Sequence, residues 1–140
     1  MSHLSKSSAA LRIAGDDLVP EEVTALLGRE PTTRYRKGDV VRGENTARIY
    51  TKKFGMWALE IADRSPGDLE AQILELLNSL TNDLGVWSRL KSGFEIDLYC
   101  GFFMKASNEG TTISNSVLRL LGERGIELSI EIYAAINDET

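Results

Sequence analysis

Residues 65–91 read SPGDLEAQILELLNSLTNDLGVWSRLK, and this stretch predicts the principal helix of the protein. Ser65 is a suitable N-cap, Pro66 suits the first helical position, and Gly93 follows the predicted end. The apolar residues recur at intervals of three and four, which places them on one stripe of a helix: Leu69, Ile73, Leu76, Leu77, Leu80, Leu84, Trp87 and Leu90. We therefore expect this stripe to lie on the inward faces of neighbouring strands.

The same stretch has one weak point, at residues 82–85. Asn, Asp and Gly occur together there, and all three are poor helix formers. A kink, or a break into two helices, is expected at this position.

Other segments show the alternation of strands with one buried face. They are residues 9–15, 46–62, 94–103 and 128–136, with the basic residues 31–41 as a further extended segment and residues 43–45 as a turn. Gly55 marks a bulge or a break into two shorter strands. The predicted core faces carry Trp57, Leu59 and Ile61 in the second of these segments, Phe94, Ile96, Leu98, Cys100 and Phe102 in the third, and Leu128, Ile130, Ile132, Ala134 and Ile136 in the last.

Two shorter helices complete the pattern. One opens at Pro20, where Val19 is a poor cap, and the other is capped by Ser114. The apolar side of the second is formed by Val117, Leu118, Leu120 and Leu121. The order βαββαβαβ predicts an α+β fold with a mainly antiparallel sheet, helices packed on one face, and a relation to the ferredoxin-like type.

The segments VPEEVTALLG (19–28) and ISNSVLRLLG (113–122) align without gaps. Each is preceded and followed by a predicted strand. Either the same unit occurs twice, or both segments simply have the general pattern of a short amphipathic helix closed by glycine. Both interpretations remain open from the sequence.

The length of 140 residues predicts a single domain at residues 9–137, with a flexible tail at residues 1–8 and a short tail at residues 138–140. The net charge of −5 disfavours general affinity for nucleic acid. There is one cysteine, no signal-peptide pattern and no apolar run near the ~18 residues of a membrane span, so a cytoplasmic protein is expected.

The sequence has little of the chemistry that catalysis or metal binding requires. The single histidine, His3, lies in the predicted tail, and the single cysteine, Cys100, faces the predicted core, so neither a metal nor a cofactor is expected. Asp97 and Glu131 share polar strand faces, but carboxylates in such positions usually pair with cross-strand bases such as Arg12, Arg48 or Lys52. We predict no catalytic residue.

The positive charge is concentrated in one region. Residues 1–55 carry ten Lys and Arg against seven Asp and Glu, whereas residues 56–140 carry six against fourteen. Within RYRKGDVVRGENTARIYTKK (34–53), aromatic residues alternate with bases. The candidate binding surface consists of Arg34, Tyr35, Arg36, Lys37, Arg48, Tyr50 and Trp57, with Trp57 either a core anchor or a partly exposed contact residue.

Several segments together resemble one family. They are LRIAGDDLVPEEVTALLGREPT (11–32) followed by RKGD (36–39), GMWALEI (55–61) and ISNSVLRLLGERGIELSIEIY (113–133). In this order and spacing the chain resembles, from about Ala10 to Tyr133, the bacterial proteins catalogued as domain of unknown function 4279. The family's helix usually opens with Asp-Pro, so Val19 is a departure. The resemblance implies a fold and a mainly bacterial origin, and it brings no activity, cofactor or catalytic residue.

Two functional hypotheses follow. The first is a non-enzymatic protein-binding module that uses residues 29–57 or the polar face of the sheet, with an immunity protein against a toxin as one version. The second is a small-molecule, phosphate or nucleic-acid binding domain in which Arg34, Arg36 and Lys37 bind an anion. Another protein is the expected partner, nucleic acid is disfavoured, and self-association through exposed edge strands stays open.

Overall fold

The computed structural model describes residues 3–43 and 47–135, and these residues form four helices and two sheets. The strands are β1 (Lys6–Gly15), β2 (Thr33–Tyr35), β3 (Val40–Arg42), β4 (Ile49–Thr51), β5 (Gly55–Arg64), β6 (Glu95–Phe103) and β7 (Glu127–Tyr133). The helices are α1 (Pro20–Leu27), α2 (Leu69–Asn78), α3 (Leu84–Gly93) and α4 (Asn115–Glu123). The turn predicted at residues 43–45 lies mostly outside the described residues.

The main sheet has the strand order β2-β5-β1-β6-β7, and β3 and β4 form a separate two-stranded sheet. β1 pairs antiparallel with β5 and β6, β2 pairs antiparallel with β5, and β7 runs parallel to β6. The predicted α+β class and mainly antiparallel sheet are confirmed. The element order differs from the prediction in two respects. Four strands, rather than two, lie between α1 and α2, and the predicted long helix is divided into α2 and α3.

One face of the main sheet forms the hydrophobic core, and all four helices contribute to it. The sheet supplies alternate residues of its central strands: Leu11, Ile13, Trp57, Leu59, Ile96, Leu98 and Cys100. The helices supply Val23, Leu27, Leu69, Ile73, Leu76, Trp87, Leu90, Val117 and Leu121. Burial of each large side chain stabilises the fold by about 1.5–3 kcal/mol, so this layer is the main source of stability. Within the part of the chain that the structure describes, every helix is too short or too polar to cross a membrane.

The principal helix begins later than predicted. Its N-cap is Asp68, whose carboxylate accepts a hydrogen bond of 3.1 Å from the backbone N–H of Ala71. Ser65 and Pro66 lie before the helix and are joined by a cis peptide bond. An aspartate satisfies the free N–H groups of a first turn and also suits its positive dipole, which explains why it takes the place of Ser65.

The expected break at residues 82–85 is confirmed. α2 ends at Asn78, and α3 begins after Asp83, whose carboxylate accepts a hydrogen bond from the N–H of Gly85 at 2.9 Å. The connecting segment is fixed to the body, because Thr81 donates its N–H to the carbonyl of Leu27 and accepts the indole N–H of Trp87 at its own carbonyl. The helix therefore breaks at a defined point.

The N-terminal boundary is earlier than predicted. β1 begins at Lys6 rather than Ala9, and Leu4 is only 2% exposed. The backbone N–H of Leu4 donates to the carbonyl of Gly110, and its carbonyl accepts the N–H of Gly67. The sequence assigns these residues to a tail, but residues 6–8 are part of β1, and Leu4 is packed between two loops.

The predictions for the N-caps of α1 and α4 are confirmed. Val19 caps α1 without a side-chain hydrogen bond, whereas Ser114 caps α4 by accepting the N–H of Val117. The two similar segments connect to the sheet in different ways. α1 leads to β2, which β5 separates from β1, whereas α4 leads to β7, which pairs directly with β6.

Five described residues that were predicted to be buried are exposed, and one of them is Ala134, directly after β7. Leu84 is 45% exposed in the first turn of α3, and Leu118 is 48% exposed on α4. Ile130 and Ile132 lie on the core side of β7 but are 46% and 63% exposed, because β7 is the edge of the sheet and the helix layer does not cover it. Ile136 lies outside the described residues.

Candidate protein-interaction surface

The segment between β2 and β5 projects as a two-stranded ribbon. We call its described residues, 36–43 and 47–54, the basic arm. β3 and β4 pair antiparallel, with Val40 opposite Thr51 and Arg42 opposite Ile49. Gly38 has a φ of 93°, a conformation that favours glycine, and Asp39 closes the turn by accepting the N–H of Arg36 at 2.8 Å. The sequence KGD at residues 37–39, with glycine at its centre, favours this turn.

Three predicted anion ligands lie at the base of the arm, and each has a carboxylate partner. Arg34 pairs with Glu30 at 3.3 Å, Arg36 with Glu21 at 3.0 Å, and Lys37 with Asp16 at 3.1 Å. A hydrogen bond from its own backbone N–H and the guanidinium of Arg36 lower the pKa of Glu21. These exposed pairs are weak individually, but they tie the arm to α1 and to the loop before it.

Other bases of the arm have a different electrostatic environment. Among the described residues, no carboxylate lies within ion-pair distance of Arg42, Lys52 or Lys53. The side chains of Arg42 and Lys53 are exposed, whereas Lys52 is half-buried.

An aromatic cluster lies beside these bases. The ammonium of Lys52 is 4.1 Å from the ring centroid of Tyr35 and 5.5 Å from that of Tyr50. The rings of Tyr35 and Phe54 have centroids 6.2 Å apart. Of the predicted surface residues, the structure brings Tyr35 and Tyr50 together around Lys52, while Arg34 lies beside Trp57 in register and points to the other side of β2.

The arm also exposes large apolar side chains. Nine large hydrophobic residues are exposed among the described residues, and four belong to the arm: Val40 at 66%, Ile49 at 59%, Tyr50 at 47% and Phe54 at 42%. A two-stranded ribbon with apolar residues in water is only marginally stable by itself. The register places Val40 and Ile49 on one face of the ribbon and Tyr50 on the other. Exposed large apolar side chains that share a face are typical of a protein contact site.

Trp57 is not part of the exposed surface. Its side chain is fully buried, and its indole N–H donates to the hydroxyl of Thr24 on α1 at 3.0 Å. The interpretation of Trp57 as a contact residue is therefore wrong, and the alternative of a core anchor is correct. The reason is its place on the core side of β5, opposite Ile13.

A network of charged hydrogen bonds links β1, β6 and β7 on the polar face of the sheet, which we call the open face. Arg12 donates to both carboxylate oxygens of Asp97, from Nε at 2.9 Å and from Nη2 at 2.5 Å, and Ser129 donates to the same carboxylate at 2.8 Å. The guanidinium also lies 4.4 Å from the ring centroid of Tyr99. Burial tends to raise the pKa of Asp97, but the hydrogen bonds from Arg12 and Ser129 lower it overall. The predicted pairing of Asp97 with Arg12 is confirmed.

A cleft of about 390 Å³ opens at one end of this face. It is lined by Arg12, Phe54, Met56, Lys91, Asp97 and Glu127, among others. The volume is in the range of ligand sites. Its charges are mixed, and the Arg12–Asp97 pair is already engaged, so the cleft does not favour one class of ligand.

The buried thiol is not suited to nucleophilic chemistry. Burial raises the pKa of Cys100 to about 12, and the charge of Asp97 adds to this effect. The thiol is therefore protonated at neutral pH, where a nucleophile requires the thiolate. Within the described ranges, no group of three His, Cys, Asp or Glu side chains is arranged to hold a metal ion.

Sequence reasoning found the basic character of the arm but missed its apolar residues. Val40, Ile49 and Phe54 were assigned to ordinary extended chain, although each is adjacent to a base or two residues from one. The sequence did contain a signal of their exposure, because each of these apolar residues lies among charged residues and not in an alternating apolar pattern. Only the tertiary structure shows that these side chains lie outside the core.

The fold and this surface define a small α+β protein with a helix-covered sheet and a projecting basic, apolar arm. The chain belongs to the family described as domain of unknown function (DUF4279), whose model matches residues 5–135. Neither the curated proteins nor the solved structures include a significant match to this chain.

Proposed function

We propose that this protein is a non-enzymatic protein-binding module of the bacterial cytosol, and that the basic arm binds an acidic surface on another protein. One observation carries the proposal. The arm presents four large apolar side chains next to bases that have no carboxylate partner among the described residues.

Apolar contact and charge have separate roles in this proposal. Burial of Val40 and Ile49, which share one face of the ribbon, against a partner would remove apolar surface from water. Such burial is the main favourable term in association. The bases at Arg42 and Lys53 would attract an acidic partner and fix its orientation. Aromatic residues such as Tyr50 are also enriched at protein interfaces.

The net charge supports a protein partner over nucleic acid. The chain has a net charge of −5, and the bases at the root of the arm are already paired with Glu21, Glu30 and Asp16. A phosphate backbone would meet these carboxylates together with the bases. The second hypothesis, an anion bound by Arg34, Arg36 and Lys37, is less favoured for the same reason.

The proposed function involves no catalysis, and the environments of Cys100 and Asp97 support this part of the proposal. Cys100 is buried with a raised pKa, and Asp97 is held by Arg12 and Ser129. An immunity protein that blocks a toxin is one form of such a module. A toxin gene beside this one would identify the partner.

The test compares two double charge reversals of equal size. Arg42→Glu with Lys53→Glu changes the arm, whereas Arg89→Glu with Arg119→Glu makes the same change of net charge on α3 and α4 as the control. Each protein is used as bait in extracts of the native host, once with nuclease and once without it. A protein captured by the wild type is then purified, and its affinity for all three baits is measured by calorimetry at two salt concentrations.

We expect an acidic partner that binds the wild type and the control equally, and the arm variant at least about 10-fold more weakly, because each reversed charge replaces attraction by repulsion. Its affinity should fall as salt is raised. Equal binding by both variants would contradict the proposal. A signal that disappears with nuclease would assign the arm to nucleic acid, and stabilisation of the wild type by inorganic phosphate alone would favour the anion site.

We also infer that β2, β5, β1 and β6, with α1 and α2, constitute a ferredoxin-like core. The strand order and the antiparallel pairing support this inference, with the basic arm as an insertion and α4-β7 as an addition. A structure of another family member that lacks the arm but keeps these four strands would test it.

A further inference from the structure

A second exposed apolar surface lies at the opposite edge of the sheet. Of the nine exposed large hydrophobic residues in the described part of the chain, three belong to β7. Ile130 and Ile132 lie on its core side, and Tyr133 lies on its other side, where it stacks on Phe103. We propose that β7 is a dimer interface, in which it pairs antiparallel with β7 of a second copy of this chain and Ile130 lies opposite Ile130. This proposal is independent of the basic arm.

The backbone of β7 has free hydrogen-bonding groups on its outer side. The carbonyl of Tyr133 accepts the N–H of Met104, so it faces β6. Because successive peptide groups of a strand alternate, Ser129 and Glu131 also face β6, while Leu128, Ile130 and Ile132 direct their N–H and C=O outward. Among the described residues, nothing beyond β6 and Met104 makes a backbone hydrogen bond to this strand. An edge of this kind is a template for another strand.

The charges on β7 select one register for a two-fold pair. With Ile130 at the axis, Leu128 faces Ile132, Ser129 faces Glu131, and Glu127 faces Tyr133. A shift of the axis to Ser129 sets Glu127 opposite Glu131, and a shift to Glu131 sets that residue opposite its own copy. Like charges directly opposite each other are destabilising. The register centred on Ile130 alone pairs all seven residues without such a contact.

The same register completes the hydrophobic layer. A two-fold axis between antiparallel strands of one sheet is perpendicular to the sheet, so both sets of helices stay on the same face. Leu128, Ile130 and Ile132 of the two copies then form one continuous apolar stripe. The result is a ten-stranded sheet in which these side chains pack against their counterparts in the second copy.

The test uses the residue at the axis. Ile130→Lys sets two ammonium groups opposite each other, Ile130→Glu sets two carboxylates, and a mixture of the two variants restores an attractive pair. Leu84→Lys is the matched control, because Leu84 is 45% exposed against 46% for Ile130 but lies on α3. Molecular mass is measured by sedimentation over a concentration series, and circular dichroism confirms that each variant is folded.

We expect a dimer for the wild type and for Leu84→Lys, with dimerisation weakened at least about 100-fold by either change at Ile130. An equimolar mixture of Ile130→Lys and Ile130→Glu should recover the dimer. A monomeric wild type would overturn the proposal, and so would a dimer that persists in Ile130→Lys.

Amide hydrogen exchange in the wild type gives a second, variant-free measurement. The N–H groups of Leu128, Ile130 and Ile132 should become protected as protein concentration rises, while those of Ser129 and Glu131 are protected at all concentrations. If the outward amides exchange rapidly in a dimeric sample, the strand register is wrong. Failure of this test leaves the role of the basic arm unaffected.

Discussion

At the scale of single residues, the most consequential polar contact is the buried pair Ser7 and Gln72, both of which are fully inaccessible to solvent. Ser7 donates to the Gln72 side-chain oxygen at 2.5 Å, and the Gln72 amide donates to the carbonyls of Ser7 and Ala62 at 3.1 and 2.9 Å. The hydroxyl of Ser7 also accepts the N–H of Asp68 at 3.0 Å. This network fixes the start of α2 against β1 and β5.

Gln72→Met should destabilise the protein by about 1–3 kcal/mol, because it keeps the side-chain volume but leaves a buried hydroxyl and two carbonyls without their donor or acceptor. Urea unfolding measures the change. The double variant Ser7→Ala with Gln72→Met should cost less than the sum of its two single changes, since both ends of the strongest contact are removed together. Strict additivity would show that the two side chains act separately.

Glu109 makes the free energy of unfolding depend on pH in the acidic range. Its carboxylate accepts hydrogen bonds from the N–H of Ala106, from the hydroxyl and N–H of Ser5 and from the N–H of Lys105, which together lower its pKa to about 2 from 4.5. Because the pKa of the folded state is the lower one, this carboxylate contributes stability above about pH 4.5 that is lost as the pH falls toward about 2.

Glu109→Gln should therefore reduce stability at neutral pH and flatten the loss between pH 5 and about 2. Chemical unfolding at a series of pH values tests this expectation. Glu123→Gln on the surface of α4 removes the same charge and serves as the control. An unchanged acid slope in Glu109→Gln would contradict the assigned role.

At the scale of elements, the glycines near the C-terminal ends of α1 and α4 both have space for a side chain but differ in backbone conformation. Gly28 follows α1 with a φ of 83°, and Gly122 lies inside α4, yet an added Cβ would meet no atom within 4 Å at either site. Gly28→Ala should destabilise by about 1–2 kcal/mol because a left-handed conformation is costly for alanine. Gly122→Ala should stabilise by about 0.5–1 kcal/mol. Urea midpoints that move in the same direction for both would refute the argument.

The predictions of helices and strands were correct where the local sequence signals were strong. The alternation in residues 94–103, the cap at Ser114 and the weak helix at residues 82–85 are all local, and the structure confirms them. The start of the principal helix was misplaced because two suitable caps, Ser65 and Asp68, compete within four residues. Packing against the buried Ser7–Gln72 pair selects the second.

At the scale of the whole molecule, stability and the proposed binding function lie in different regions. The hydrophobic core contains no residue from β2, β3 or β4. The apolar residues of the arm are therefore not required to hold the fold together, in contrast with Ile73, which is fully buried beneath the sheet.

The double change Val40→Thr with Ile49→Thr should alter the free energy of unfolding by less than about 1 kcal/mol, because surface substitutions rarely have larger effects. Ile73→Val, which removes a single buried methyl group, should cost about 0.5–1.5 kcal/mol. Thermal and urea unfolding compare the two variants. A large loss of stability in the arm variant would mean that the arm is part of the core.

The sequence by itself determined the α+β class, the inward faces of the central strands and the concentration of positive charge in residues 34–53, because hydrophobic period and local charge are written in neighbouring residues. Only the tertiary structure decided which apolar residues meet solvent. Trp57 and Ile130 have the same alternating pattern, yet Trp57 lies in β5 beneath α1, whereas Ile130 lies in β7 at the edge of the sheet. Burial depends on the position of a strand within the sheet, and strand order arises from contacts between residues far apart in the chain.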